Sequence, residues 1–158
     1  MIKIYEALGA VADGRVEMGD KERPSPEGKD SPCRAKVYSS SRKKFYHVIY
    51  DPAASAIMTN DNGSYWQGYL GYPAIAYLLM IGVLPYDSAR TELLKGIAWK
   101  EINQKFKNDF DKTLTHILTS LTTEEKSVLE RYVVSLQSAI QKLDLDLLGS
   151  KVKPPADD

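Results

Sequence analysis

This chain of 158 residues is poorest in cysteine, with Cys33 alone, and in histidine, with His47 and His116 alone. A single thiol cannot close an intramolecular disulfide, which excludes a secreted scaffold held by bridges and leads us to expect a cytoplasmic protein. No His-x-x-x-His or Cys-x-x-Cys spacing exists, so neither a metal nor another cofactor is expected. Asn60-Asp61-Asn62-Gly63 has the look of a calcium loop, yet Met58 and Tyr69 stand where carboxylates are required. Net charge is also lacking, because 21 basic and 21 acidic side chains cancel. That balance argues against a chain-wide attraction to nucleic acid and leaves only a local patch.

Long apolar runs are scarce as well. The uncharged stretch 62–86 exceeds the roughly 20 residues needed to cross a bilayer. Its first part, however, holds Asn62, Gly63, Ser64, Gln67, Gly68 and Gly71, and only Pro73 to Leu84 is densely apolar. No membrane partner is expected, and the N-terminal Met-Ile-Lys-Ile-Tyr-Glu does not read as a signal peptide. A Gly-x-Ser-x-Gly elbow, a Walker loop and a Gly-x-Gly-x-x-Gly turn are all missing. Asp109 and Asp111 lie two apart on an expected helix and point to different faces, so they form no catalytic pair. The balance leans away from an enzyme.

What remains is an ordinary globular composition, 43% hydrophobic and 27% charged, long enough for one core. We expect an α+β fold: a small antiparallel sheet of about three strands packed on a buried central helix, followed by a C-terminal antiparallel helical hairpin. Residues 1–149 form the single domain. Within it 19–32, rich in proline, glycine and charge, is a mobile loop, and 150–158 is a flexible C-terminal tail. Helical spacing of Ile4, Leu8 and Val11 favours a helix over 2–12 closed by Asp13-Gly14, against a competing hairpin turn at the same dipeptide. Segments 34–40, 45–50 and 55–59 read as strands. Pro73 suits the first turn of the central helix, which Pro85 ends.

Asp87 or Ser88 caps a long helix with Leu94, Ala98, Ile102, Phe106, Phe110, Leu114, Ile117 and Leu121 on one stripe. Thr122 and Glu125 form a capping box for a last helix that carries its own stripe to Gly149. At 1.5 Å per residue the long helix would run to about 50 Å, beyond the ~30 Å expected of a small domain. The surplus apolar stripe is the ground for the leading expectation, a non-catalytic interaction module that pairs with itself or another protein through the helical hairpin.

Two clusters stand out as alternatives. The loop 60–73 places Tyr65, Trp66, Tyr69 and Tyr72 among glycines before a helix, which suits stacking on a small ligand or filling the core. Within it Gly68-Tyr69-Leu70-Gly71 resembles the Gly-x-x-Gly loop of KH RNA-binding domains, although Tyr69 and Leu70 bring no charge to a phosphate. The second cluster is basic: Arg34, Lys36, Arg42, Lys43 and Lys44, with no acid between them, interleaved with Tyr38 and Tyr46. Cations beside rings on a sheet are the ingredients of a single-strand nucleic-acid surface, or of an edge guarded against aggregation.

Overall fold

A computed structural model describes residues 1–19, 32–62, 64, 69–147 and 153–156. Most of the loop 19–32 and much of the tail 150–158 therefore lie outside the described residues. The fold is α+β. Helix α1 (Ile2–Ala12) leads into strand β1 (Val16–Met18), followed by β2 (Cys33–Tyr38), β3 (Phe45–Asp51) and β4 (Ala56–Thr59). These four strands are antiparallel and stand in chain order. A fifth strand, β5 (Asp146–Leu147), adds to β4 in parallel.

Helix α1 closes at the expected place, where Gly14 takes a positive φ of 65° that an L side chain would resist. The dipeptide Asp13-Gly14 thus ends a helix, and the competing hairpin does not form, since Val16–Met18 pairs with β2 instead. Along β2 the side chains of Cys33, Ala35 and Val37 point into the core while Arg34 is exposed, and along β3 Tyr46, Val48 and Tyr50 do the same. Helix α2 (Tyr72–Met80), with Pro73 in its first turn, covers this inner face. It ends earlier than Pro85, at Met80, and Gly82 just beyond it has a φ of 80°. Helix α1 lies behind α2 and is enclosed by α3 (Ser88–Glu92) and α6 (Thr123–Gln141). This explains why α1 is buried on nearly every side, Glu6 included. Leu8, Leu78, Leu79, Leu129 and Leu136 are fully buried at its heart, each worth about 1.5–3 kcal/mol of apolar burial.

The long helix expected from 87 onward does not form. The segment is divided into α3, α4 (Trp99–Lys105) and α5 (Phe110–Leu118). Two local breaks outweigh the apolar period. Gly96 has φ 78°, and Lys107 and Asn108 have φ 52° and 62°, a left-handed pair in which asparagine is tolerated. Asp109 then starts α5 afresh by accepting the backbone N–H of Lys112 at 3.3 Å. Folding back takes Leu94 and Ile117 of the stripe into the core together with Trp99 and Leu118, and leaves Ala98, Ile102, Phe106, Leu114 and Leu121 half-buried. The segment thus presents three short helices in place of one long apolar stripe. On α5 and α6 the large apolar side chains left exposed are Phe110 and Val134.

Helix α6 begins with the expected capping box, Thr122 accepting from the Glu125 N–H at 3.1 Å and Glu125 accepting from the Thr122 N–H at 2.9 Å. It stops at Gln141 rather than near Gly149. The following Leu143-Asp144-Leu145-Asp146-Leu147 alternates with period two, a strand pattern, and the Asp146 N–H donates to the Ser55 carbonyl at 2.9 Å. No described helix is long and apolar enough to cross a membrane.

Candidate functional site

Between α1, the β2–β3 turn and the start of α4 lies a cleft of about 400 Å³. Its walls come from four distant segments: Lys3 and Glu6 from α1, Arg15 from the link to β1, Ser40, Lys44 and Tyr46 from the turn and β3, and Trp99, Lys100 and Asn103 from α4. Asn62 and Tyr72 close one side. The parts are pinned together by backbone bonds. The Lys100 N–H donates to Ser40 Oγ at 2.9 Å, the Gly96 N–H to Asp13 Oδ1 at 2.7 Å, and Arg42 Nη2 to the Asp13 carbonyl at 2.7 Å.

Arg15 is the most telling residue, because its side chain carries a permanent charge and is only 2% exposed. Nη1 donates to the Tyr38 carbonyl at 2.9 Å, and Nε lies 3.5 Å from Asp13 Oδ2 without the alignment of a hydrogen bond. Nη2 has no partner among the described residues. A buried donor left unpaired costs about 1–3 kcal/mol, more when charged, so an acceptor placed beside Nη2 would be stabilising.

Glu6, 6% exposed, accepts from Lys3 Nζ at 2.9 Å and from Asn103 Nδ2 at 2.9 Å. A carboxylate can only accept, so the Asn103 amide must turn its nitrogen toward Glu6, which leaves Oδ1 facing elsewhere. That oxygen is buried and has no partner among the described residues. Burial acts to lower the Lys3 ammonium, and the Glu6 carboxylate outweighs it, holding Lys3 above the usual lysine value. On the opposite wall burial pushes the Tyr72 phenol far up, with Tyr46 adding to the effect and the Arg15 charge opposing it. Tyr72 is therefore a neutral hydroxyl at any physiological pH. Its ring meets Tyr46 edge-on at 6.0 Å. Cations thus outnumber the one lining carboxylate, and fixed donors, a fixed acceptor and ring faces share one cleft.

Among the expected ligand residues, Tyr72 lines this cleft, whereas Tyr69 sits in a separate hollow of about 170 Å³ with Leu70 and Ile140. Tyr65 and Trp66 lie outside the described residues, as does Gly68 of the Gly-x-x-Gly segment. The basic set is distributed over three surfaces. Arg34, Lys36 and Tyr38 occupy the outer face of the sheet, where Lys36 Nζ stands 4.8 Å from the Phe45 ring centroid and the Tyr38 hydroxyl donates to Glu17 at 2.9 Å. Arg42 and Lys43 are exposed in the turn. Lys44 and Tyr46 turn to the cleft.

Lys3, Glu6, Arg15, Trp99 and Asn103 are absent from the residues singled out by sequence. The available signal was Lys3 and Glu6, two charges three residues apart in a helix otherwise without charge from Ile2 to Ala12. Among the described residues no three His, Cys, Asp or Glu side chains gather as metal ligands.

The chain belongs to the family described as Uncharacterised conserved protein UCP014422, whose model matches residues 1–146. No curated protein and no solved structure matches it.

Proposed function

We propose that this protein binds a small anionic molecule in the cleft walled by α1, the β2–β3 turn and α4. The observation that carries the reading is Arg15, which lines a roughly 400 Å³ space with its guanidinium withdrawn from water and its buried Nη2 unpaired among the described residues. Pockets of this size accept a molecule of metabolite dimensions. An anion there would gain a charge-assisted hydrogen bond from the guanidinium. The Asn103 Oδ1 acceptor and the neutral Tyr72 hydroxyl add a requirement for polar groups on the same ligand.

The test uses Trp99 as reporter, in a Trp66→Phe background that removes the other tryptophan. Titration with phosphate, pyrophosphate and citrate should change Trp99 emission, and Arg15→Lys should weaken binding by about tenfold, the equivalent of one good polar contact. Because Arg15 also holds the Tyr38 carbonyl, Lys100→Gln serves as a second variant with less structural involvement. Unchanged affinity in both variants would sink the reading.

A second reading keeps the outer face as a nucleic-acid surface, supported by the row Tyr38, Phe45 and His47, whose neighbouring rings lie 5.7 and 5.2 Å apart. Phosphate contacts from Arg34 and Lys36 would make binding of an oligonucleotide fall as salt rises. Salt-insensitive binding, or none, removes it.

A further inference from the structure

Arg15 borders a second cleft besides the first. A hollow of about 310 Å³ has Asp13, Arg15, Ser40, Arg42, Lys95 and Gly96 among its lining, so Arg15 and Ser40 belong to both walls. The one acid in this second hollow is already engaged: Asp13 Oδ1 accepts from the Gly96 N–H at 2.7 Å, and Oδ2 faces Arg15 Nε at 3.5 Å. Lys95 Nζ stands 3.8 Å from Glu92 Oε2 in a pair whose two side chains are 62% and 56% exposed, a contact that water screens heavily. Positive charge therefore continues from Lys3 and Lys100 through Arg15 to Arg42 and Lys95.

A ligand with a single carboxylate would answer only a small part of that row. We propose that the natural ligand is an organic ester of linked phosphates, a diphosphate or longer. In this arrangement the organic part lies in the larger cleft against Tyr46 and Tyr72, the first phosphate meets the unpaired Arg15 Nη2, and the terminal phosphate lies in the hollow between Arg42 and Lys95. The guanidinium is suited to the middle position, since its planar fork offers N–H groups toward two acceptors at once. The orphan Asn103 Oδ1 receives a hydroxyl or amine of the organic part. This inference rests on the anion-binding reading of the larger cleft and extends it to a two-part site.

The experiment is calorimetric titration of the full chain with phosphate, pyrophosphate and tripolyphosphate at constant ionic strength, repeated for Arg42→Ala and Lys95→Ala. Affinity should rise with length, by about tenfold for each added contact, and one tripolyphosphate should bind per chain. Both variants should remove most of the advantage of tripolyphosphate, and Lys95→Ala, at a residue that holds no part of the larger cleft together, should leave phosphate binding as it was. Equal affinity for phosphate and tripolyphosphate, or variants that weaken both alike, would overturn the two-part site while leaving the larger cleft as an anion site. No binding of any of the three overturns both. Tighter binding of an oligothymidylate, lost in Lys36→Ala, would also overturn the inference, because the polyphosphate partner would then be a nucleic acid on the outer sheet face.

Discussion

The Trp99 indole rests on the bare backbone of Gly9: a β-carbon at that glycine would stand 2.5 Å from Nε1. Helix α1 thus leaves a gap in its own surface into which the first residue of α4 fits, and this contact sets one wall of the cleft. Gly9→Ala brings two opposing effects. Alanine in a helix interior gains about 0.5–1 kcal/mol over glycine, whereas forcing a packed indole aside costs about 1–3 kcal/mol. We expect a net loss in chemical denaturation together with altered Trp99 emission. A stabilised variant with unchanged emission would show that the indole has room to move.

Glu6 offers a test in which stability and affinity move in opposite directions. Glu6→Gln keeps an oxygen for Asn103 but removes the charge that compensates Lys3, so unfolding should become easier by about 1–2 kcal/mol. The same change deletes the acid lining the larger cleft, so phosphate should bind more tightly. Weaker binding in a folded Glu6→Gln protein would contradict the anion reading.

Alkaline pH should unfold the protein through its buried phenols. Burial raises both Tyr72 and Tyr77, the latter helped by Cys33. A group raised in the folded state lends stability that is complete below its unfolded value, near pH 10 for tyrosine, and is lost as pH climbs from there toward the folded value. Melting temperature should therefore decline above about pH 10, and Tyr72→Phe should decline less steeply than the parent. Parallel slopes would show that lysines govern the alkaline limb.

The Tyr132 hydroxyl joins α6 to the turn before α3, accepting from the Asp87 N–H at 2.9 Å and donating to the Pro85 carbonyl at 2.9 Å. Tyr132→Phe preserves the packing and orphans two backbone groups, so stability should drop by about 1–3 kcal/mol. Amide exchange should accelerate at Asp87, while the cleft residues on α1 stay protected.

How far the sequence could be read depended on the range of the signal. Helix α1, the hairpin of β2 and β3, Pro73 at the start of α2 and the Thr122 capping box are written within a few neighbouring residues, and each forms as read. The helix expected from 87 to 121 failed because its apolar spacing continues across Gly96 and Lys107-Asn108, and spacing is indifferent to φ. The cleft was invisible for another reason. Lys3, Arg15, Lys44 and Asn103 share no motif, and only the packing of α4 across α1 brings them together. The opposite charges of Lys3 and Glu6, three apart in a helix with no other charge, were the local irregularity that hinted at it.

The short strand at 146–147 also changes how the sheet meets its neighbours. By lying beside β4 it occupies part of a row of hydrogen-bonding groups that a foreign strand would otherwise copy. A protein clipped after α6 would keep its helices yet bare the Ala56–Ile57 flank of the sheet, and should aggregate more readily than the parent.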